Sequence, residues 1–294
     1  LSKYINVYVP TFDLAEELAL RFQRHGYVVL FMKGRSALYA ETHMCERWEY
    51  AELAIKQGLN IFENLCKRRL GGGNKQLCPH YNNCPYLDQW RKHIPAIRIF
   101  AHAFLSLPFP SPDDISFPDP DLVIVEENPT QTLLGKIQFD LSFLANKIPE
   151  ANMLNSENSA DLQDRLRRMG ISSRSALERA KEIEDSFETR LTPDMKDEVL
   201  ETQLQNMLRD ESWKLVQFWK SVALEIDQPR PLHGIEIIQT EASDEKTEIQ
   251  TLAQVVVHFR KEVRIHDSKP LLLLDADADL DINRLLFGSD LAEL

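Results

Sequence analysis

Largely apolar runs alternate with an amphipathic segment at the start of the chain. Residues 5–9 and 27–32 are such runs, which predicts two buried strands. Residues 14–25 between them carry apolar side chains at three- and four-residue spacing, which predicts a helix with Asp13 as its N-cap and Gly26 as its stop. A strand, a helix and a second strand in this order are typical of an α/β fold.

Two further strands are predicted later in the chain. Residues 96–100 and 122–125 are largely apolar, and a proline-rich loop at residues 108–120 precedes the second of them. Strands that are apolar without alternation are buried on both faces, as in a parallel sheet covered by helices. We therefore predict an α/β fold built on a parallel sheet.

The pattern becomes helical in residues 130–228, where no run predicts a strand. Residues 161–169, 175–187 and 193–222 have apolar residues at three- and four-residue spacing with charges between them. These segments predict an all-helical insertion with acid-rich exposed faces. The default interpretation is that this insertion only packs within the fold. The alternative is that it acts as a clamp or as a surface that binds a partner.

Strands and a helix alternate again after this insertion. Residues 234–239 and 269–275 predict strands, and residues 248–263 between them predict a helix. We expect the parallel sheet to gain its last strands from this part of the chain.

The length and composition are those of a large globular chain. With 294 residues, 43% of them hydrophobic, it can form one large domain or a core with insertions. It shows no secretory signal and no apolar run long enough to span a bilayer. These features predict a soluble, cytoplasmic protein in a reducing compartment, without a membrane partner.

Charge is distributed unevenly along the chain. The net charge of -12 argues against a protein that coats nucleic acid, yet residues 21–100 hold 13 Lys and Arg against 6 Asp and Glu. The basic run at residues 67–69, with Arg91 and Lys92, could hold a phosphate backbone while nearby aromatic residues stack bases. A solvated charged face over a small aromatic core is the alternative. The aromatic residues are Trp48, Tyr50, Tyr81, Tyr86 and Trp90.

The same basic part contains all four cysteines of the chain, Cys45, Cys66, Cys78 and Cys84. A chain with so large a core does not need disulfides, and a reducing compartment would not keep them. Four thiolates suit zinc or an iron-sulfur cluster. His43 and His80 are close enough in sequence to replace a cysteine in a zinc site. The spacing of the cysteines therefore does not distinguish zinc from an iron-sulfur cluster. Four unrelated cysteines are the remaining alternative.

Acidic residues end two of the predicted strands. Glu126 and Glu127 follow the strand at residues 122–125, and Asp275 begins an alternating acidic run at residues 275–281. This run lacks the glycine and the glutamate that a calcium-binding EF-hand loop requires. Exposed acids at a strand end and at a helix N-terminus are the simpler interpretations of the two groups.

The order of these features resembles that of iron-sulfur superfamily 2 DNA helicases of the XPD/DinG type. The resemblance covers nearly the whole chain, and it extends to the helicase part of primase-helicases carried by phages and integrative elements. It rests on the strand that ends in Pro10-Thr11, Gly34-Arg35 before four cysteines, Ala101-His102-Ala103-Phe104-Leu105, the acidic strand end, the helical insertion, and Leu-Leu-Leu-Asp275-Ala276-Asp277.

The resemblance implies an ATP-dependent enzyme that moves along single-stranded DNA, with a RecA-like sheet and a 4Fe-4S cluster on the four cysteines. Glu126 would hold magnesium and Glu127 would orient the attacking water. The resemblance also implies a prokaryotic or phage origin and primase or replication proteins as partners. In the family, some residues contact DNA or couple DNA binding to ATP hydrolysis. The matching positions in this chain are Thr11, Arg35, His102 and Asp275.

The resemblance further implies a division of the chain into five segments. The RecA-like motor domain would consist of residues 1–35, 95–129 and 232–294. Residues 36–94 would form a cysteine-rich insertion and residues 130–231 an arch-like helical insertion.

The sequence departs from the family pattern in two respects. Glu126-Glu127-Asn128-Pro129 replaces Asp-Glu-Ala-His, which shifts the carboxylate at the magnesium position by about one carbon-carbon bond. The sequence contains no Gly-x-x-x-x-Gly-Lys-Ser/Thr loop, so we expect the phosphate loop and the second motor domain in other parts of a longer parent protein.

Because of these departures, this chain alone is expected to be inactive as an ATPase. Two alternatives to a motor stay open: a zinc-bearing nucleic-acid-binding module, and a degenerate helicase-like scaffold without ATPase activity.

Overall fold

The chain divides into two compact units. Unit 1 comprises residues 1–49, 79–134 and 260–294, and unit 2 comprises residues 50–78 and 135–259. Within these units, a computed structural model describes residues 3–108, 110, 118–148, 158–188, 191–242, 250–265, 269–275 and 279–288.

A five-stranded parallel sheet forms the centre of unit 1, and this confirms the predicted α/β class. In the middle strand, Val7 pairs with Ile99 on one side and with Ile124 on the other. Side by side, the strands are β12 (Leu271–Leu274), β8 (Leu122–Glu126), β1 (Ile5–Val9), β7 (Ile97–Ala101) and β2 (Val29–Phe31).

Helix α1 (Phe12–Arg24) connects β1 to β2 and packs on this sheet. Its buried residues Ala15 and Ala19 join the apolar cluster of β1 and β7. The short elements of unit 1 include β3 (Leu38–Tyr39), β4 (Thr42–His43), a 3-10 helix (Tyr81–Asn83), α3 (Pro85–Trp90), a second 3-10 helix (His102–Ser106), α4 (Thr130–Leu133) and α10 (Leu280–Phe287).

A buried arginine connects the amino-terminal halves of the central strands. Arg98 of β7 is 0% exposed and donates from Nε to Asn6 Oδ1 and from Nη1 to the carbonyl of Pro118, each at 2.7 Å. Its guanidinium also lies 5.1 Å from the centre of the Tyr4 ring. Burial lowers the pKa of Arg98 to about 10, so the side chain stays charged at neutral pH. Because a buried charge must keep its hydrogen bonds, Arg98 helps to fix the register of β1 against β7.

Unit 2 combines helices with a three-stranded sheet around its own apolar core, which includes Leu162, Phe218 and Trp219. The helices are α2 (Trp48–Lys56), which begins in unit 1, α5 (Leu141–Lys147), α6 (Ser159–Arg168), α7 (Ser173–Glu188), α8 (Asp197–Asp210) and α9 (Trp213–Glu225). The strands lie in the order β10 (Ile235–Ala242), β11 (Gln250–Arg260) and β9 (Leu134–Asp140). A two-stranded hairpin of β5 (Lys67–Arg69) and β6 (Lys75–Leu77) follows a π-helical turn at Phe62–Cys66.

The helix predicted at residues 248–263 is wrong, because residues 250–260 form strand β11. The apolar residues of this segment fit both periods, but Val255, Val256 and Val257 are β-branched and all buried in the sheet. The prediction of no strand in residues 130–228 is also wrong, because β9 lies there. Gly135 in β9 has no side chain at a point where a Cβ would lie 2.3 Å from the ring of Phe259 in β11.

The strand predicted at residues 234–239 is found as β10, but it pairs antiparallel with β11 in the sheet of unit 2, so the expectation that it extends the parallel sheet is wrong. The other predicted elements are found with shifted ends. Helix α1 begins at Phe12 with Thr11 as its N-cap, rather than with Asp13, and Gly26 follows it at a φ of 81°. The helix predicted at residues 193–222 is two helices, α8 and α9, because Glu211 between them has a φ of 53°.

The two units divide the chain differently from the five predicted segments. Residues 1–35 and 95–129 lie wholly in unit 1, whereas residues 36–94, 130–231 and 232–294 are each shared between the units. Parts of the proline-rich loop (109 and 111–117) and of the acidic run (276–278) lie outside the described residues. No helix in the described part of the chain is long and apolar enough to cross a membrane.

Candidate functional site

Five residues singled out in the sequence follow five different strands of the parallel sheet. Thr11 follows β1, Arg35 follows β2, His102 follows β7, Glu126 ends β8 and Asp275 follows β12. Because parallel strands all end at the same edge of their sheet, these residues share its carboxyl edge. Ligands of open α/β sheets bind at this edge, so it is the candidate site of unit 1.

The acidic end of β8 is built on an unusual backbone conformation. Glu127 has a φ of 59°, which residues other than glycine rarely adopt, and its N–H donates to the carbonyl of Leu274 at 2.7 Å. Leu274 pairs with Glu126, so Asp275 follows β12 where Glu127 follows β8. The Glu126 side chain is partly buried and that of Glu127 is exposed. The backbones of Glu127 and Asp275 therefore lie at neighbouring strand ends.

His102 holds the end of β8 through a hydrogen bond to its backbone. It is 2% exposed, and its Nε2 lies 2.8 Å from the carbonyl oxygen of Glu126, to which it donates. Burial lowers the pKa of His102, and the backbone oxygen of Glu126, the charge of Glu127 and the backbone of Tyr8 only partly oppose this shift. His102 is therefore a neutral hydrogen-bond donor at neutral pH, and it holds the backbone of the residue expected to bind magnesium.

Thr11 has a local structural role at the same edge, because its Oγ1 accepts the N–H of Leu14 at 3.2 Å and caps α1. The next residue, Phe12, is 41% exposed although it is aromatic. Its ring lies edge-on to that of Phe31 at 6.1 Å, and the Lys33 Nζ lies 5.8 Å from the centre of the Phe31 ring. Phe12 is not among the residues singled out in the sequence, although an apolar residue at the solvent-facing start of a helix is a signal of a contact surface.

Arg35 lies between the sheet edge and a pair of cysteines. Its guanidinium lies 4.0 Å from the centre of the Tyr86 ring, and its carbonyl accepts the N–H of Cys45 at 3.1 Å. The preceding backbone is held by Gln89, whose side-chain amide accepts from the N–H of Lys33 at 2.9 Å and donates to its carbonyl at 2.8 Å. Helix α3 and the segment after β2 are thus held together.

Cys45 and Cys84 form a thiol pair in unit 1. A hydrogen bond from Cys45 lowers the pKa of the Cys84 thiol to about 6, assisted by the backbone N–H groups of Leu87 and Tyr86 and the charge of Arg35, although burial opposes the shift. Cys84 is 8% exposed, so the thiolate is held in a mostly buried place. Thiolates are the form in which cysteine binds metal, so this pair fits half of a four-thiolate set.

Cys66 and Cys78 form a second pair in unit 2, at the base of the hairpin of β5 and β6. The N–H of Cys78 donates to the carbonyl of Cys66 at 2.9 Å. Among the described residues, no group of three or more His, Cys, Asp or Glu side chains comes together as a metal site. Each pair alone therefore supplies two candidate ligands.

Three of the five aromatic residues expected to stack bases are too deeply buried to do so. These three side chains, Tyr81, Tyr86 and Trp90, are between 1% and 3% exposed and belong to the core. Their burial agrees with the alternative interpretation, a solvated charged face over a small aromatic core. Trp48 and Tyr50 are partly buried. The basic run at residues 67–69 forms β5 in unit 2.

Comparison with models of known protein families and with curated protein sequences found no match to this chain.

The left-handed conformation of Glu127 predicts a stabilising substitution. Glu127→Gly should raise the free energy of unfolding by about 0.5–1 kcal/mol, because glycine adopts a positive φ without steric cost. Glu126→Gly is the matched control: it removes the neighbouring carboxylate from a strand and should lower the stability. Urea unfolding of both variants measures the difference, and equal destabilisation by the two would contradict the strain at Glu127.

The buried His102 predicts a loss of stability in acid. Its pKa is lower in the folded chain than the ordinary value of about 6.5, so the unfolded chain binds the proton more readily. The stability due to this residue should be complete above about pH 6.5 and decrease as the pH falls further. Unfolding free energies measured from pH 7.5 to 5 should fall less steeply for His102→Gln than for the unmodified chain. Identical slopes would show that His102 does not titrate in this way.

Proposed function

We propose that this chain is part of an ATP-dependent DNA helicase that moves along single-stranded DNA. The single observation that supports this proposal best is the meeting of Thr11, Arg35, His102, Glu126 and Asp275 at one edge of a parallel sheet, although they are distant in sequence. A RecA-like motor domain, which the resemblance implies, is compatible with this sheet.

In the proposed mechanism the acidic strand ends serve ATP hydrolysis in the parent protein. Glu126 would hold magnesium, which would supply positive charge against the phosphates, and Glu127 would orient the attacking water and accept its proton. His102 keeps the backbone of Glu126 in place through its hydrogen bond at 2.8 Å. Asp275 after β12 would couple ATP hydrolysis at Glu126 and Glu127 to DNA binding, because β12 pairs directly with β8.

The same proposal assigns a 4Fe-4S cluster to Cys45, Cys66, Cys78 and Cys84, with zinc as the alternative metal. The supporting observation is the lowered pKa of Cys84, since a ligand thiolate must be deprotonated. Primase or replication proteins are the proposed partners of the parent protein.

A helicase-like scaffold without ATPase activity is the second candidate function. It is favoured by the sequence after β8, where Asn128 uses its side-chain oxygen to accept the N–H of Thr130 at 2.9 Å. Asn128 and Pro129 thus form a local turn in the place where the family has Ala-His.

The exposed ring at the start of α1 provides a test of DNA binding. Phe12→Ala should weaken the binding of a single-stranded oligonucleotide about tenfold, because stacking of a base on an aromatic ring contributes roughly 1–3 kcal/mol. Fluorescence anisotropy of a labelled oligonucleotide measures the affinity. Placing an abasic site in the oligonucleotide should reduce the effect of the substitution.

The opposite end of α1 offers a matched control. Tyr27 is 44% exposed and lies edge-on to Phe22 at 6.0 Å, much as Phe12 lies against Phe31. Tyr27→Ala removes a ring of similar exposure and should leave the affinity unchanged. No binding by the unmodified chain, or equal losses in the two variants, would contradict the proposed DNA path.

A further inference from the structure

The hairpin of β3 and β4 in unit 1 exposes two large apolar side chains. Leu38 and Tyr39 of β3 are 62% and 55% exposed. The hairpin that carries them is well held. Thr42 Oγ1 donates to the carbonyl of Tyr39 at 3.1 Å, and at the base His43 Nδ1 donates to a carbonyl at 2.6 Å, that of Ser36. Burial in the core of the unit therefore does not account for either apolar side chain.

The turn of this hairpin is strained. Its two residues, Ala40 and Glu41, have φ values of 47° and 70°. A two-residue turn needs a positive φ at both positions to follow the twist of its strands, and glycine, asparagine or aspartate normally supplies it. Alanine and glutamate adopt this conformation at a steric cost, and such positions concentrate at binding and catalytic sites. The strained turn and the exposed side chains both indicate a binding surface at this hairpin.

Lys33 connects the hairpin to the carboxyl edge of the parallel sheet. Its Nζ donates to the carbonyl of Leu38 at 3.4 Å and lies 5.8 Å from the centre of the Phe31 ring. Gln89 fixes the backbone of Lys33 through both its N–H, at 2.9 Å, and its carbonyl, at 2.8 Å. Lys33 is partly exposed, and an ammonium group has three N–H donors, so the bond to Leu38 does not exhaust it. The charge is therefore held at a defined place with donors for an anion.

The exposed ring of Phe12 lies on the other side of this connection. It is edge-on to Phe31 at 6.1 Å, and a Cβ added to Gly34 would lie 3.5 Å from its Cζ. The Phe12 ring thus lies against the segment that carries Lys33. The contacts lead from Phe12 through Phe31 and Lys33 to the hairpin, so that a cation lies along a path from one exposed ring to the next.

Aromatic rings that alternate with a cation match a single-stranded nucleic acid. Bases stack on the rings, and the phosphates that join them bind the cation. In a duplex the faces of the bases are covered by their neighbours, so they do not stack on protein side chains without being flipped out. Residues 33–45 contain Lys33 and Arg35 against Glu41 as their only acidic residue. This small excess of positive charge, in a chain whose net charge is -12, favours an anionic ligand.

We propose that Tyr39 is a second base-stacking residue on the path of single-stranded DNA, and that Lys33 holds a phosphate of the strand between Phe12 and Tyr39. Gln89 is the positioning residue of Lys33. This inference rests on the proposed function, which it deepens by extending the DNA path from the sheet edge onto the hairpin of β3 and β4.

Tyr39→Ala tests the stacking contact. It should weaken the binding of a labelled single-stranded oligonucleotide about tenfold, as expected for the loss of one stacked base. The slope of log K against log [salt] should stay the same, because no charge is removed. Tyr39→Phe keeps the ring and should keep the affinity. Because Tyr39 is exposed, the unfolding free energy of both variants should equal that of the unmodified chain.

Leu38→Ala is the matched control for the ring, because it removes the neighbouring exposed side chain, which is apolar but cannot stack on a base. This variant should bind the oligonucleotide as the unmodified chain does. Equal losses in Leu38→Ala and Tyr39→Ala, or no loss in Tyr39→Ala, would overturn the stacking contact.

Lys33→Gln tests the phosphate contact. The slope of log K against log [salt] should become shallower by about 0.7, the value for one phosphate of a single strand. Lys33→Arg keeps the charge and should keep the slope. Lys3→Gln is the control, because it removes an exposed charge just before β1, at the opposite edge of the same sheet, and should also keep the slope. An unchanged slope in Lys33→Gln would overturn the phosphate contact.

The same titrations separate this inference from the proposed function. If the unmodified chain does not bind the single-stranded oligonucleotide, both are wrong. If it binds, and Phe12→Ala weakens binding while Tyr39→Ala and Lys33→Gln do not, only the extension of the DNA path onto the hairpin is wrong.

Discussion

The parallel pairing of β1 with β7 on one side and β8 on the other is the constraint on which the architecture of unit 1 depends. It places the last residues of all three strands at one edge, and β2 and β12 extend the same sheet outward. The register is supported at the amino-terminal half by buried Arg98 with Asn6. A shift of one residue would break the hydrogen bond between Arg98 and Asn6 and displace the residues at the edge relative to one another.

At the carboxyl edge the same pairing brings polar groups together within the fold. His102 after β7 reaches the carbonyl of Glu126 at the end of β8, so one imidazole connects two strand ends that lie on either side of β1. Gln89 fixes the backbone of Lys33 after β2 and thereby holds α3, which begins after Cys84. The thiol pair of unit 1 is thus positioned by contacts that originate at the sheet.

The sequence predicts strands well when both of their faces are buried, and less well when only one face is buried. Runs such as residues 5–9 have no alternative to a buried strand, and Gly26 stops the helix between the first two as expected. Residues 250–260 satisfied a helical period, and only pairing with β10 made the three valines a strand. The left-handed conformation of Glu127 was not predictable, because it depends on where β12 lies in the folded sheet.

The cysteines offer the most direct test of the central claim that this chain comes from an iron-sulfur DNA helicase. The protein would be purified without oxygen and analysed for iron, sulfide and zinc together with its visible absorption. A helicase with a 4Fe-4S cluster should show broad visible absorption with about four iron and four sulfide per chain. Stoichiometric zinc without iron would contradict it in favour of a zinc-bearing binding module, and a protein without any metal would leave only a helicase-like scaffold.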